Sequence, residues 1–115
     1  MYRVATQNRV ADSLIVAPIV ELEERSWREL QREVVEGAAR AGARRVIFDL
    51  SGVSLLDSED VKALEALDLA LRLVGSRFIC VGMAAHVVAT IVMQHGEPIR
   101  LEAATDIAAA LDEAA

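Results

Sequence analysis

The side chains able to do chemistry in this sequence are few, and one run concentrates them: Asp57-Ser58-Glu59-Asp60, with Lys62 two residues further on. Read from its residues alone, the run is a helix start, where Asp57 or Ser58 accepts hydrogen bonds from the free amides of a first turn. Such a cap stabilises a helix by about 1 kcal/mol. The other candidates are weaker. His86 and His95 fall on an expected helix and just beyond it, a poor spacing for metal ligands. Cys80 lies inside an apolar run, where a thiol behaves as a small hydrophobe rather than a nucleophile. There is no glycine-rich phosphate loop, no paired-cysteine zinc pattern and no His-Glu-x-x-His. Two separated histidines supply no nucleophile–base pair. Catalytic residues, bound metals and cofactors are therefore not expected.

The elements that must position the acidic run can be read from periodicity. Leu14-Ile15-Val16-Ala17-Pro18-Ile19-Val20 is a β-branched apolar run and reads as a strand, with Pro18 at its end, at an edge or at a bulge. The segment up to Ala11 is ambiguous, with Val4 and Val10 as candidate edge-strand residues. From Glu23 the period changes: Trp27, Leu30, Val34, Ala38 and Ala41 form one helical stripe, Trp27 being read as core. Glu21, Glu23 and Glu24 sit at the start of this helix and Arg40, Arg44 and Arg45 at or after its end, as the helix dipole favours, with Gly42 as the stop.

Arg45 to Leu50 reads as a second strand, turning at Ser51-Gly52, after which two leucines, Leu55 and Leu56, anchor a loop. A second helix begins near Ser58, with Val61, Leu64, Leu67, Leu71 and Val74 on its apolar face and Gly75 at its end. Phe78 to Val81 is a third buried strand. Val87, Val88, Ile91 and Val92 suit a helix closed by Gly96, Glu97 to Leu101 a short last strand, and Ile107, Ala108 and Leu111 a terminal helix. Strands followed by alternating helix and strand imply parallel crossovers, and the fold class is α/β.

Composition narrows the function classes. At 115 residues, 54% of them hydrophobic, the chain predicts one domain, residues 1–115, with a packed core. A net charge of −6 argues against nucleic acid and against anionic membrane surfaces as partners. One cysteine allows no internal disulfide and points to a reducing compartment. No apolar run approaches the length of a membrane span, and the first residues lack the apolar core of a signal peptide. A soluble, cytoplasmic protein without membrane insertion is the expectation.

The stretch Ile47-Phe48-Asp49-Leu50-Ser51-Gly52-Val53-Ser54-Leu55-Leu56-Asp57-Ser58 resembles the motif of the STAS domain, found in anti-sigma-factor antagonists and stressosome scaffold proteins. In that family a hydrophobic strand, Asp-Leu, a short turn, two apolar residues and Asp-Ser precede a helix, and the serine is phosphorylated. The resemblance places Ser58 at the phosphorylated serine and Asp57 at its preceding acid. It extends over most of the chain, through Leu14–Glu24, the Leu71–Phe78 helix-glycine-strand junction, Gly82–His95 and the closing Ala104–Leu111. What it implies is a mixed, mostly parallel sheet of four to five strands packed against about four helices. It also implies the absence of catalysis and binding to a serine kinase or anti-sigma factor of GHKL type. The expected contact face comprises Glu21, Glu23, Ser54, Asp57, Ser58, Glu59, Asp60 and Lys62.

Where antagonists of the sporulation type read Asp-Ser-Ser-Gly, this chain reads Asp57-Ser58-Glu59-Asp60, which is closer to the stressosome scaffold type. A phosphoryl group adds roughly 1.5–2 negative charges. Unit charges about 6 Å apart repel by roughly 1–3 kcal/mol, while the helix dipole returns about 0.3–1 kcal/mol. Phosphorylated Ser58 is therefore expected to perturb the helix start, or else the site is permanently acidic and not a substrate. Two further roles fit the resemblance. One is an assembly subunit contacting other STAS proteins or copies of itself through its alanine-rich terminal helix. The other is an accessory subunit of a lipid ABC-type transporter acting by protein contact alone.

Overall fold

The computed structural model describes residues 3–96 and 99–112. Five strands form one sheet in the order β1 (Ala5–Val10), β2 (Ser13–Pro18), β3 (Arg45–Asp49), β4 (Arg77–Val81) and β5 (Glu102–Ala104). β1 and β2 make an antiparallel hairpin, and every later pair is parallel, with Leu14 opposite Val46 and Val46 opposite Phe78. The parallel connections run through α1 (Glu24–Ala41), α2 (Ser58–Leu73) and α3 (Ala85–His95), and α4 (Ile107–Asp112) follows β5. Because the chain steps across the sheet in one direction, crossovers of one hand bring α1, α2 and α3 to the same face.

Strand alternation sorts the core into two layers. Leu14, Val16, Val46, Phe48, Phe78 and Cys80 face the three crossover helices, meeting Trp27, Leu30 and Val34 of α1 and Leu64, Leu67 and Leu71 of α2. Each fully buried side chain of this kind contributes about 1.5–3 kcal/mol. Ile47, Ile79 and Val81 point the other way, against Ala110, with Ile107 and Leu111 packed alongside. The apolar side of the terminal helix thus covers its own sheet. Arg45 sits in this second layer as well: its guanidinium donates to Asp12 Oδ1 at 3.0 Å and to the Ala110 carbonyl at 3.3 Å. It therefore ties the β1–β2 turn to α4 instead of trailing α1 as a dipole partner.

Most element limits follow the periodicity, and four details differ. The last strand is Glu102–Ala104 rather than Glu97–Leu101, with Glu97 and Pro98 outside the described residues. Val74 is exposed because α2 already stops at Leu73, and of the four apolar residues expected on one face of α3, Val87 and Ile91 are buried while Val88 and Val92 face outward. Leu56 is buried at 2% exposure, but Leu55 is 75% exposed, so one leucine of the pair anchors the loop and the other does not. Gly42 ends α1 as expected, at φ 61°, a left-handed conformation that favours glycine.

The short β5 is clipped to β4 by Arg77, whose Nε donates to both carboxylate oxygens of Glu102 at 2.9 Å. That hydrogen bond holds Glu102 below its ordinary carboxylate range. A depressed carboxylate stabilises the fold above its unfolded pKa, about 4.3, and loses the contribution as pH falls through the folded value. Both side chains are about half exposed, so the pair is worth at most about 1 kcal/mol. Urea unfolding should place Glu102→Gln slightly below wild type at pH 7, with the gap closing as pH falls through the lowered range in which Glu102 is protonated in the fold.

Candidate functional site

The acidic run lies at the end of the sheet where the parallel strands stop and their loops turn into helices. After β3 the chain bends through residues 50–56, pinned by Leu50 N–H donating to the Val81 carbonyl and by Val53 N–H donating to that of Leu50, both at 2.9 Å. Ser51 N–H donates to Asp49 Oδ1 at 2.9 Å. Gly82, at φ 78°, passes so close that an added Cβ would lie 2.9 Å from Ser51 N, so a side chain there would press directly on this loop.

Asp57 caps α2. Its Oδ1 accepts from Asp60 N–H at 2.9 Å, and Asp60 Oδ2 accepts in return from Asp57 N–H at 2.9 Å, so each carboxylate closes the other's backbone donor. Asp60 is only 8% exposed. Its second oxygen accepts from the Trp27 indole N–H at 2.8 Å, a buried bond joining α2 to α1. Trp27 stacks in turn toward Phe48, with centroids 6.2 Å apart, and Phe48 toward Phe78 at 5.8 Å. The capping read from the sequence is therefore real and belongs to Asp57. Ser58, the first residue of the helix, is partly exposed.

On the neighbouring loop, Ser26 of α1 closes its own turn: its hydroxyl accepts from Glu23 N–H at 2.8 Å and donates to the Glu21 carbonyl at 2.6 Å. This brings residues 18–22 alongside residues 52–57. Between them lies a groove of about 660 Å³ lined by Ile19, Glu21, Ser54, Leu55, Asp57 and Asp60 among others. Of the expected contact residues, Glu21, Ser54, Asp57 and Asp60 therefore meet, although Asp60 turns inward and offers little surface. Glu23 borders an adjoining groove with Arg25 and Glu29. Glu59 and Lys62 stand on the outer side of the first turn of α2, 3.4 Å apart, so the lysine is engaged by its own helix. Ile19, 57% exposed, and Leu55 were not among the expected residues. An exposed position is invisible to periodicity, and only Leu55's place beside the Asp-Ser pair could have pointed to it.

The other candidates sort as their surroundings require. His86 is exposed at the first turn of α3, and among the described residues no cluster of His, Cys, Asp or Glu could hold a metal. No helix among those residues is long and apolar enough to cross a membrane. Burial, with a smaller effect of Asp68, pushes the Cys80 thiol up to about 12.

A family model for the STAS domain matches residues 2–109, and the chain belongs to that family. No curated protein sequence is significantly similar to it. Among solved structures it is similar to RsbS of Moorella thermoacetica, a serine-to-glutamate variant, with a TM-score of 0.76 and 21% identity over 95% of this chain and 92% of that one. A putative anti-sigma factor antagonist of Thermotoga maritima gives 0.76 and 19% over 95% and 92%. The phosphorylated form of the Bacillus cell fate determinant SpoIIAA gives 0.61 and 18% over 96% and 99%. At these identities the likeness is one of fold.

Two outcomes follow. Trp27→Phe strips one oxygen of a buried carboxylate, Asp60 Oδ1, of its donor and should lower stability by about 1–3 kcal/mol. In a double-mutant cycle with Asp60→Ala, urea midpoints should show a coupling of about 0.5–3 kcal/mol, and additivity would mean the bond carries nothing. Cys80 should ignore Ellman's reagent at pH 8 in the folded protein and react fully once urea unfolds it.

Proposed function

We propose that residues 1–115 act as one non-enzymatic STAS regulatory domain that binds a serine kinase or anti-sigma factor of GHKL type and is switched by phosphorylation at Ser58. The carrying observation is the position of Ser58: first residue of α2, directly after its capping Asp57, partly exposed, at the loop end of the sheet. A hydroxyl there is within reach of another protein's active site, and the charge added to it would alter a surface rather than a core. The solved phosphorylated form of SpoIIAA, a chain of the same fold, supports the reading.

A phosphate on Ser58 would stand between Asp57 and Glu59, with Lys62 already paired to Glu59. Repulsion of about 1–3 kcal/mol at such separations exceeds the dipole's return of about 0.3–1 kcal/mol. Phosphorylation therefore loosens the first turn of α2 and changes how the surface is read.

A second reading, a subunit in an assembly of STAS domains, is favoured by Leu69 and Leu73 on α2 and Val92 and Met93 on α3, all exposed. Light scattering separates the two, since an assembly subunit forms oligomers alone or with other STAS proteins.

The leading reading is tested by incubating the protein with GHKL-type serine kinases of its own genome and ATP, followed by mass spectrometry. One phosphoryl group on Ser58 is expected, with Ser58→Ala bound but unmodified. Kinases that bind neither wild type nor Ser58→Ala would contradict it.

A further inference from the structure

Beside the acidic run, the loop holds a leucine out into solvent. Leu55 is 75% exposed although its neighbour Leu56 is 2% exposed, and the chain on both sides is fixed: Val53 N–H by the Leu50 carbonyl, Asp57 N–H by Asp60 Oδ2. Three residues separate those two pins. A side chain presented on so short a bridge has little backbone freedom left to lose on docking. Across the groove stands Ile19, 57% exposed, and Glu21 and Asp57 complete the lining at its acidic side.

We propose that Leu55, with Ile19 opposite it, is the apolar anchor by which the kinase partner holds this domain, the surrounding carboxylates forming a rim. This rests on the kinase-binding reading above and adds to it the residue that determines affinity and the chemistry of the surface that fits. Protein interfaces place a few apolar anchors at the centre of a polar, wetter margin, and the anchors carry most of the binding energy. Here the margin is negative, because Glu21 and Asp57 line the groove and are exposed, while Glu59 and Lys62 on the outer side of the first turn pair with each other. The matching partner surface is an apolar pocket edged by lysine or arginine. An acidic or wholly apolar surface would leave these carboxylates desolvated and unpaired. The exposed apolar residues Leu69 and Leu73 lie further along α2, with Leu73 about 22 Å from the helix start at 1.5 Å per residue, and are not part of this contact.

Anchor and rim divide the kinetics. Loss of a buried anchor speeds dissociation, whereas loss of a rim charge slows association and weakens its salt dependence. With the kinase immobilised and the full chain in solution, Leu55→Ser should raise Kd about thirtyfold or more, mostly through dissociation. Its urea midpoint should stay that of wild type. Glu21→Gln should slow association a few-fold and flatten its salt dependence, leaving dissociation unchanged. Leu73→Ser, 80% exposed at the far end of α2, should bind as wild type. If wild type binds and is phosphorylated at Ser58 while Leu55→Ser binds equally well, the anchor is overturned and the kinase reading stands. Equal weakening by Leu73→Ser also overturns it. If wild type binds no kinase of this type, both fall.

Discussion

A buried carboxylate holds together the end of this molecule where the loops turn into helices. Asp60 takes the indole N–H of Trp27 on one oxygen and the amide of Asp57 on the other, while its own amide is taken by Asp57. A carboxylate so little exposed is tolerated only when its oxygens are satisfied by donors, and here a protein N–H reaches each of them. The consequence reaches beyond stability. The same atom set fixes where α2 begins, how α2 lies against α1, and hence how the 50–56 loop stands beside the 18–22 loop. The groove between them has a defined shape because Trp27 cannot move without leaving a buried oxygen of Asp60 without its donor.

This arrangement also changes how the negative charges of the junction are to be weighed. In sequence, Asp57, Glu59 and Asp60 look like three equivalent acids crowding a serine. In the fold they are three different things. Asp57 is a cap with an exposed flank, Asp60 an internal strut, and Glu59 a surface acid paired with Lys62. Only the first and last border the surface on which a phosphate would sit. Charge added at Ser58 would therefore bear first on the outer side of the helix start, away from the side where Asp60 bonds Trp27.

How much of this was legible in the sequence depended on whether a residue's role was periodic. The stripe Trp27, Leu30, Val34 and Ala38 and the run Val46-Ile47-Phe48 announced α1 and β3 because burial repeats along them, and the β-branched run with terminal Pro18 announced β2. The Asp57-Ser58 helix start was equally plain, since caps have fixed residue types. Three things were not legible. The inward turn of Asp60 depends on a tryptophan 33 positions earlier, a pairing that no local pattern encodes. The placement of β5 at Glu102–Ala104 follows from register with Ile79, Cys80 and Val81, while the apolar residues Ile99 and Leu101 that suggested an earlier strand pack against the core from the loop. Leu55 looked like a twin of Leu56, and only the course of the backbone separates them.

The loop end around Ser58, Leu55 and Glu21 is proposed as the protein-recognition surface of a regulatory domain. Hydrogen exchange of the free domain and of its complex with the serine kinase tests it most directly. New protection confined to residues 18–24 and 51–62 is expected, with the β1–β2 turn and α4 exchanging as in the free protein. Protection centred on α4, on the β1–β2 turn or on the far ends of α2 and α3, with the Ser58 end unchanged, would contradict it.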